Sequence, residues 1–151
     1  MNYTRLTSVN DIVRNWTFIS NGLLEVGHHL RFDLGIDTYR KILFKLAKQP
    51  NSAWLALATD GGLPVAFIVA HECTPLFATR REFDASIYYH EPGYASAIAF
   101  LQHQLNLFCV SNNIRRYYVT TCRKSGRPMH VFGVEWTGLQ HAHRVFKKEL
   151  N

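Results

Sequence analysis

The chain has 151 residues, 47% of them hydrophobic and 19% charged, which is the length of one ordinary domain and a composition that excludes intrinsic disorder. The longest apolar run, Leu63 to Ala70, contains Pro64 and falls far short of a membrane span, which needs ~20 residues. Net charge is +6, so a strongly acidic, self-solvating chain is excluded as well.

Met1-Asn2-Tyr3-Thr4-Arg5 lacks the charged-then-apolar pattern of a secretory leader. The expectation is a single cytoplasmic domain over residues 1–151, large enough to fold without a disulfide or metal staple. Three cysteines, Cys73, Cys109 and Cys122, show no CxxC spacing and read as reduced thiols. The pairs His28-His29 and His141-x-His143 have no cysteine or carboxylate at ligand spacing, so no metal is expected.

The charge is uneven. Residues 1–75 carry seven basic and six acidic side chains, net +1; residues 76–151 carry ten and five, net +5. The basic groups cluster as Arg80-Arg81, Arg115-Arg116, Arg123-Lys124 with Arg127, and Lys147-Lys148. This fits a phosphate-bearing cofactor, a nucleic acid bound through the C-terminal half, or a solvated basic surface.

In chain order, Tyr3 to Leu6 reads as a strand. Thr7-Ser8-Val9-Asn10 then caps a helix from about Asp11 towards Ile19. Ser20 to Gly35 is mixed, broken by Gly22, Gly27 and Gly35. Asp37 is placed as the cap of a second helix with Tyr39, Ile42, Leu43 and Leu46 on one face, ended by Pro50. Trp54 to Thr59 and Pro64 to His71, joined by Asp60-Gly61-Gly62, predict a β-hairpin. After a loop from Thr74 to Arg81, Glu82 to His90 alternates. Phe83, Ala85, Ile87 and Tyr89 are expected on a core face, with Glu82, Asp84, Ser86, Tyr88 and His90 on a polar one.

Glu91-Pro92-Gly93 breaks that strand, and a helix follows from about Tyr94 to Ser111 with Ile98, Leu101, Leu105, Phe108 and Cys109 as its apolar stripe. Asn112-Asn113 stops it. Arg116 to Thr121 predicts a strand, Met129 to Trp136 a short helix capped by Gly138, and Leu139 to Phe146 a final strand. The order β-α-α-β-β-β-α-β-α-β defines a mixed α/β fold with at least one parallel crossover. Its ligand site is expected where the strand ending at His90 meets the helix N-terminus near Tyr94.

Three features resemble the GCN5-related N-acetyltransferase family over nearly the whole chain. Ile87-Tyr88-Tyr89-His90-Glu91-Pro92 is similar to the family's fourth strand. Ala95-Ser96-Ala97-Ile98-Ala99 lies where the family carries its pyrophosphate loop, R/Q-x-x-G-x-G/A, although Pro92, Gly93 and Tyr94 stand in place of the Arg or Gln. Met129-His130 with Trp136-Thr137-Gly138-Leu139 is similar to the family's C-terminal turn. The chain is similar in particular to small acetyltransferase-like proteins of bacteriophages, which would place it in a host cytoplasm.

The resemblance implies a central mixed β-sheet flanked by about four helices and transfer of an acetyl group from acetyl-coenzyme A to a small-molecule or protein amine. It implies cofactor contacts from Tyr89, His90, Tyr94, Ala95, Ser96, Ala97, Ile98 and Arg123, with an amide near Tyr89 as the oxyanion donor. Glu82 and Asp84 are then the candidate bases, with Tyr88 and His90 behind them. Val134 stands where the family's acid tyrosine is expected, leaving His130 and Tyr118 as substitutes. A non-catalytic binding or assembly module of the same fold, and an acyltransferase directed at nucleic acid, remain alternatives. A homodimer through the terminal strand is also open, with Lys147 and Lys148 acting against it as edge protection.

Overall fold

The computed structural model describes residues 1–30, 35–74, 76–119, 130–133 and 139–141. Chain order is β1 (Asn2–Arg5), α1 (Val9–Arg14), α2 (Trp16–Leu30), α3 (Ile36–Ala47), β2 (Ala53–Asp60), β3 (Leu63–Glu72), β4 (Arg81–His90), α4 (Ala95–Ser111), β5 (Ile114–Val119), β6 (His130–Gly133) and β7 (Leu139–His141). The strands form one sheet in sequence order, antiparallel throughout except for β4 and β5. That parallel pair is joined by α4, the crossover expected from the sequence. The mixed α/β fold class therefore holds.

Two apolar layers cover the sheet. Trp54, Ala56, Ile68, Ala70, Phe83 and Ala85 pack under Ile98, Leu101, Leu105 and Cys109 of α4. On the other face Leu55, Leu57, Phe67 and Val69 pack under Ile12, Ile19, Leu23 and Leu43 of α1–α3. Covered on both sides, β2 and β3 are near-continuous apolar runs with long fully buried stretches. Their hairpin turns on Gly61 and Gly62, both at positive φ (56° and 83°), the type I′ geometry that two glycines adopt without strain.

The N-terminal helical region differs from expectation. Ser8 caps α1, accepting from the Asp11 amide at 3.2 Å while Asp11 accepts from the Ser8 amide at 2.9 Å, a reciprocal capping box. The helix then breaks at Asn15, whose side chain donates to the Asp11 carbonyl at 2.9 Å. A second helix, α2, restarts at Trp16 and runs through Gly22 and Gly27 to Leu30, where the sequence predicted irregular chain. Glycine is tolerated at position 22 because a Cβ there would lie 2.5 Å from Phe67 and 2.7 Å from Tyr89. Close approach of α2 to the sheet outweighs the helix penalty. Asp37 lies in the first turn of α3, paired with Arg40 at 3.2 Å, and Gly35 takes the cap position instead.

Two further corrections bear on the site. His130–Gly133, expected inside a helix from Met129 to Trp136, is strand β6 on the edge of β5. Val131 and Phe132 suit a pleated surface, and pairing supplies partners for the backbone of β5. The second correction is in β4. Ala85 and Ser86 together oppose Ala70 of β3, a β-bulge that flips the alternation. Phe83 and Ala85 face α4, whereas Ile87 and Tyr89 pack in the layer under α2, and Tyr88 joins the α4 side. The single core face expected for Phe83, Ala85, Ile87 and Tyr89 is therefore divided between the two layers. Leu139–His141 is a strand as predicted; the continuation to Phe146 lies outside the described residues.

Candidate functional site

β4 ends in a turn that the local sequence dictates. The Tyr94 amide donates to the Glu91 carbonyl at 3.0 Å across Pro92 and Gly93, and Gly93 has φ +86°. Proline at the second position and a positive-φ glycine at the third define a type II turn. It delivers the chain directly into α4, whose N-cap Tyr94 offers no side-chain cap and whose first turn contains no acidic residue. Both α1 and α3 do carry an acid there. The start of α4 is therefore an uncapped ring of backbone donors at the positive end of a helix dipole. Ala95 and Ser96 are exposed on this turn and Tyr94 is half-buried. Ala97 and Ile98 instead face the sheet, at 0% and 8% exposure.

The ladder between β3 and β4 decides which amides face outward. Glu91 donates to Val65 at 2.9 Å, so 65–91 is a bonded pair. By antiparallel alternation Tyr89 and Ile87 are then bonded to Phe67 and Val69, while Tyr88 and His90 point their backbone groups away from β3. On that side β4 meets β5, and among the described residues the last pair is Asp84 with Tyr118. The outward amides of this edge are thus those of Tyr88 and His90, and the Tyr89 amide is committed to the sheet. The Tyr89 ring packs against Phe18 and Phe67 at 5.8 and 5.9 Å.

The His90 Nδ1 lies 2.9 Å from the Glu91 carbonyl oxygen. A carbonyl only accepts, so Nδ1 carries the proton and Nε2 the lone pair.

The polar cluster lies on the α3 side of β4 and β5. Glu82 is 7% exposed, and both its oxygens are engaged, by Tyr118 Oη at 2.7 Å and Arg116 Nε at 3.2 Å. Arg81, a sequence candidate for pairing with β4 carboxylates, binds Glu72 at 3.0 Å, and Thr74 donates to the same carboxylate at 3.0 Å. Burial first, then the hydrogen bond to Glu82, raises the Tyr118 phenol. Tyr39 is pushed up to about 12, chiefly by desolvation and also by Asp84. Cys73 is pushed up to about 11 by desolvation and by Asp84, Glu82 and Glu72. These carboxylates create a negative potential beside a shallow depression of about 450 Å³ lined by Leu46, Gln49, Ser52, His71, Glu72, Cys73 and Thr74. Sequence reasoning missed His71, Tyr39 and Arg116, because only the strand register brings them beside Asp84 and Glu82.

The structure thus gathers Tyr88, His90, Tyr94, Ala95 and Ser96 at one end of β4. It sets Glu82 and Asp84 further back along the strand, where the Asp84 Cα pairs with Tyr118 and His71. His130 pairs with Val119 by its backbone; Arg123 and Val134 lie outside the described residues. Among the described residues no group of three or more His, Cys, Asp or Glu is arranged to hold a metal ion, and no helix is long and apolar enough to cross a membrane.

No protein-family model matches this sequence, and no curated relative matches it. Solved structures do. The chain is similar to a possible acetyltransferase from Clostridium difficile 630, with TM-score 0.62 and 12% identity over 82% of this chain and 80% of that one. It is similar to a predicted acetyltransferase with acetyl-CoA from Clostridium acetobutylicum, with TM-score 0.60 and 20% identity over 83% of each chain. A third is an aminoglycoside acetyltransferase, meta-AAC0020, from an uncultured soil metagenomic sample in complex with sisomicin, with TM-score 0.61 and 14% identity over 82% of this chain and 78% of that one. At these identities the likeness is one of fold. The chain has the acetyltransferase fold that its sequence resemblance implies.

Proposed function

We propose that the protein is an N-acetyltransferase that uses acetyl-coenzyme A and a cationic amine acceptor. The observation that carries this reading is the end of β4, where two outward amides, a histidine with a free Nε2 and an uncapped helix N-terminus follow one another within eleven residues, Tyr88 to Ile98. Bound acetyl-coenzyme A would supply the acetyl thioester, whose carbonyl carbon the amine attacks.

The fit to that cofactor rests on this chain's own groups. Amides at Ala95 and Ser96, with no competing carboxylate in the turn, suit a pyrophosphate. The Tyr88 and His90 amides suit a strand-like amide chain along the edge and an oxyanion developing beside it. His90 Nε2 takes the ammonium proton. The negative potential set by Asp84, Glu82 and Glu72 attracts a cation to the same end of the sheet. Glu82 is assigned no proton transfer, because Arg116 and Tyr118 already hold both its oxygens.

Isothermal titration with acetyl-coenzyme A, followed by thiol release in the presence of a panel of amines, tests the reading. Ser96 is exposed, so Ser96→Glu sets a negative charge against the pyrophosphate without disturbing the core. Micromolar binding that weakens at least tenfold in that variant is the expected result. Absence of binding at millimolar ligand refutes it. Binding without turnover on any amine would instead support a non-catalytic module, and a steep salt dependence of nucleic-acid binding would redirect the search to that partner.

A further inference from the structure

α4 is an unusual surface helix. Ala95–Ser111 contains no Asp, Glu, Lys or Arg, although at the chain's 19% charged composition about three would be expected in seventeen residues. Its inner face is fully buried, so apolar residues are accounted for there. Its outer line, Ala99, His103, Leu107 and Val110, is exposed at spacings of four, four and three, and Leu107 and Val110 are 52% and 63% exposed. That spacing is the seam of a helix that packs on another helix. An ordinary outer face would carry the charges this helix lacks.

We infer that the outer face of α4 is a self-association surface, occupied by α4 of a second copy of this chain running antiparallel about a two-fold axis. Charge argues for the occupant. Two copies carrying +6 each repel wherever basic surfaces meet, and this uncharged helix is a place where they can approach without that cost. Size complementarity argues for the direction. Antiparallel pairing centred near Leu105 sets Ala99 against the second copy's Val110, small against large, and His103 against its Leu107, and the two-fold axis repeats both contacts. The same centring leaves Ala95 and Ser96 uncovered, so the β4–α4 junction stays open. A single helix pair is a small interface, so the dimer exchanges with monomer on dilution.

Sedimentation velocity of the full chain over a dilution series tests this. The expected mass rises from 17.4 kDa towards twice that value with concentration, and rises further with added salt, because salt screens the net positive charge. Leu107→Lys and His103→Glu are each expected to be monomeric with unchanged far-ultraviolet circular dichroism and melting. Mixing the two variants is expected to restore dimer, since the new carboxylate then faces the new ammonium. A wild-type chain that stays at 17.4 kDa throughout overturns the proposal. So does a dimer that persists in Leu107→Lys, or a mixture that fails to reassociate.

Discussion

Replacing Gly22 by alanine tests the packing that carries β4. In an isolated helix this change is favourable by about 1 kcal/mol. Here the new methyl would lie 2.5 Å from Phe67 Cε1 and 2.7 and 2.8 Å from Tyr89 Cδ1 and Cγ. Neither ring can yield freely. Phe67 is buried, and the Phe18, Phe67 and Tyr89 rings brace one another with centroids 5.8 to 6.0 Å apart. Relief therefore requires α2 to lift from the sheet. Overpacking of this kind costs about 1–3 kcal/mol, and the contacts here fall at the upper end. Setting that against the propensity gain leaves a net loss of about 1–2 kcal/mol. For a chain of this size the melting temperature should fall by about 2–8 °C. Thermal unfolding followed by circular dichroism reads the change directly. A melting temperature that is unchanged or raised would refute the close approach of α2 to β4. Because Tyr89 lies between Tyr88 and His90, the same variant should weaken acetyl-coenzyme A binding more than its stability loss explains.

Gly93→Ala should cost about 1–3 kcal/mol from backbone strain alone, since φ is +86° and no atom lies within 4 Å of the new methyl; Gly93→Asn, which tolerates positive φ, should recover most of it in urea titration. Ser8→Ala removes the α1 cap and should cost about 0.5–2 kcal/mol. Hydrogen bonds from Ser8 and Thr7 hold the Asp11 carboxyl below its ordinary value, so this contribution is present above the unfolded carboxyl's pKa and is lost as pH falls through the folded one. The difference between wild type and Ser8→Ala should accordingly shrink in acid denaturation. Arg116→Met strands the buried Glu82 carboxylate, leaving it only Tyr118. The loss should be about 2–4 kcal/mol, below the full cost for a buried pair because Arg116 is partly exposed, and Arg116→Met with Glu82→Gln should be milder than Arg116→Met alone. Cys73 is exposed but its thiol is raised to about 11, so its alkylation should be slow at neutral pH and accelerate until that value. Cys109, buried and raised to about 12, should react only on unfolding.

Local chemistry made much of this protein legible in one dimension. Asp60-Gly61-Gly62 announces its hairpin because two glycines adopt positive φ at no cost. Glu91-Pro92-Gly93 likewise announces a break between strand and helix, since proline and glycine set the two central angles of its turn. Ile98, Leu101, Leu105 and Cys109 recur at helical spacing, so α4 and its buried face follow from the pattern. Element order then sufficed for the fold class.

What tertiary structure decided are the features that depend on a partner distant in sequence. Gly22 reads as a helix breaker until Phe67 and Tyr89 are seen to need its missing side chain. Four residues at His130–Gly133 carry too little periodicity to separate strand from helix, and their pairing with Arg116–Val119 resolves it. The β4 bulge leaves no mark in the alternation of Glu82 to His90, because an inserted residue shifts the faces without changing the letters. Sequence therefore determined which residues stand near the candidate site. The register of β3 against β4 decided which of them face it: Tyr88 and His90 at the open edge, Tyr89 in the core, and Glu82 locked by Arg116 and Tyr118. Hydrogen-bond parity across a ladder is a property of two strands, and one strand's sequence does not contain it.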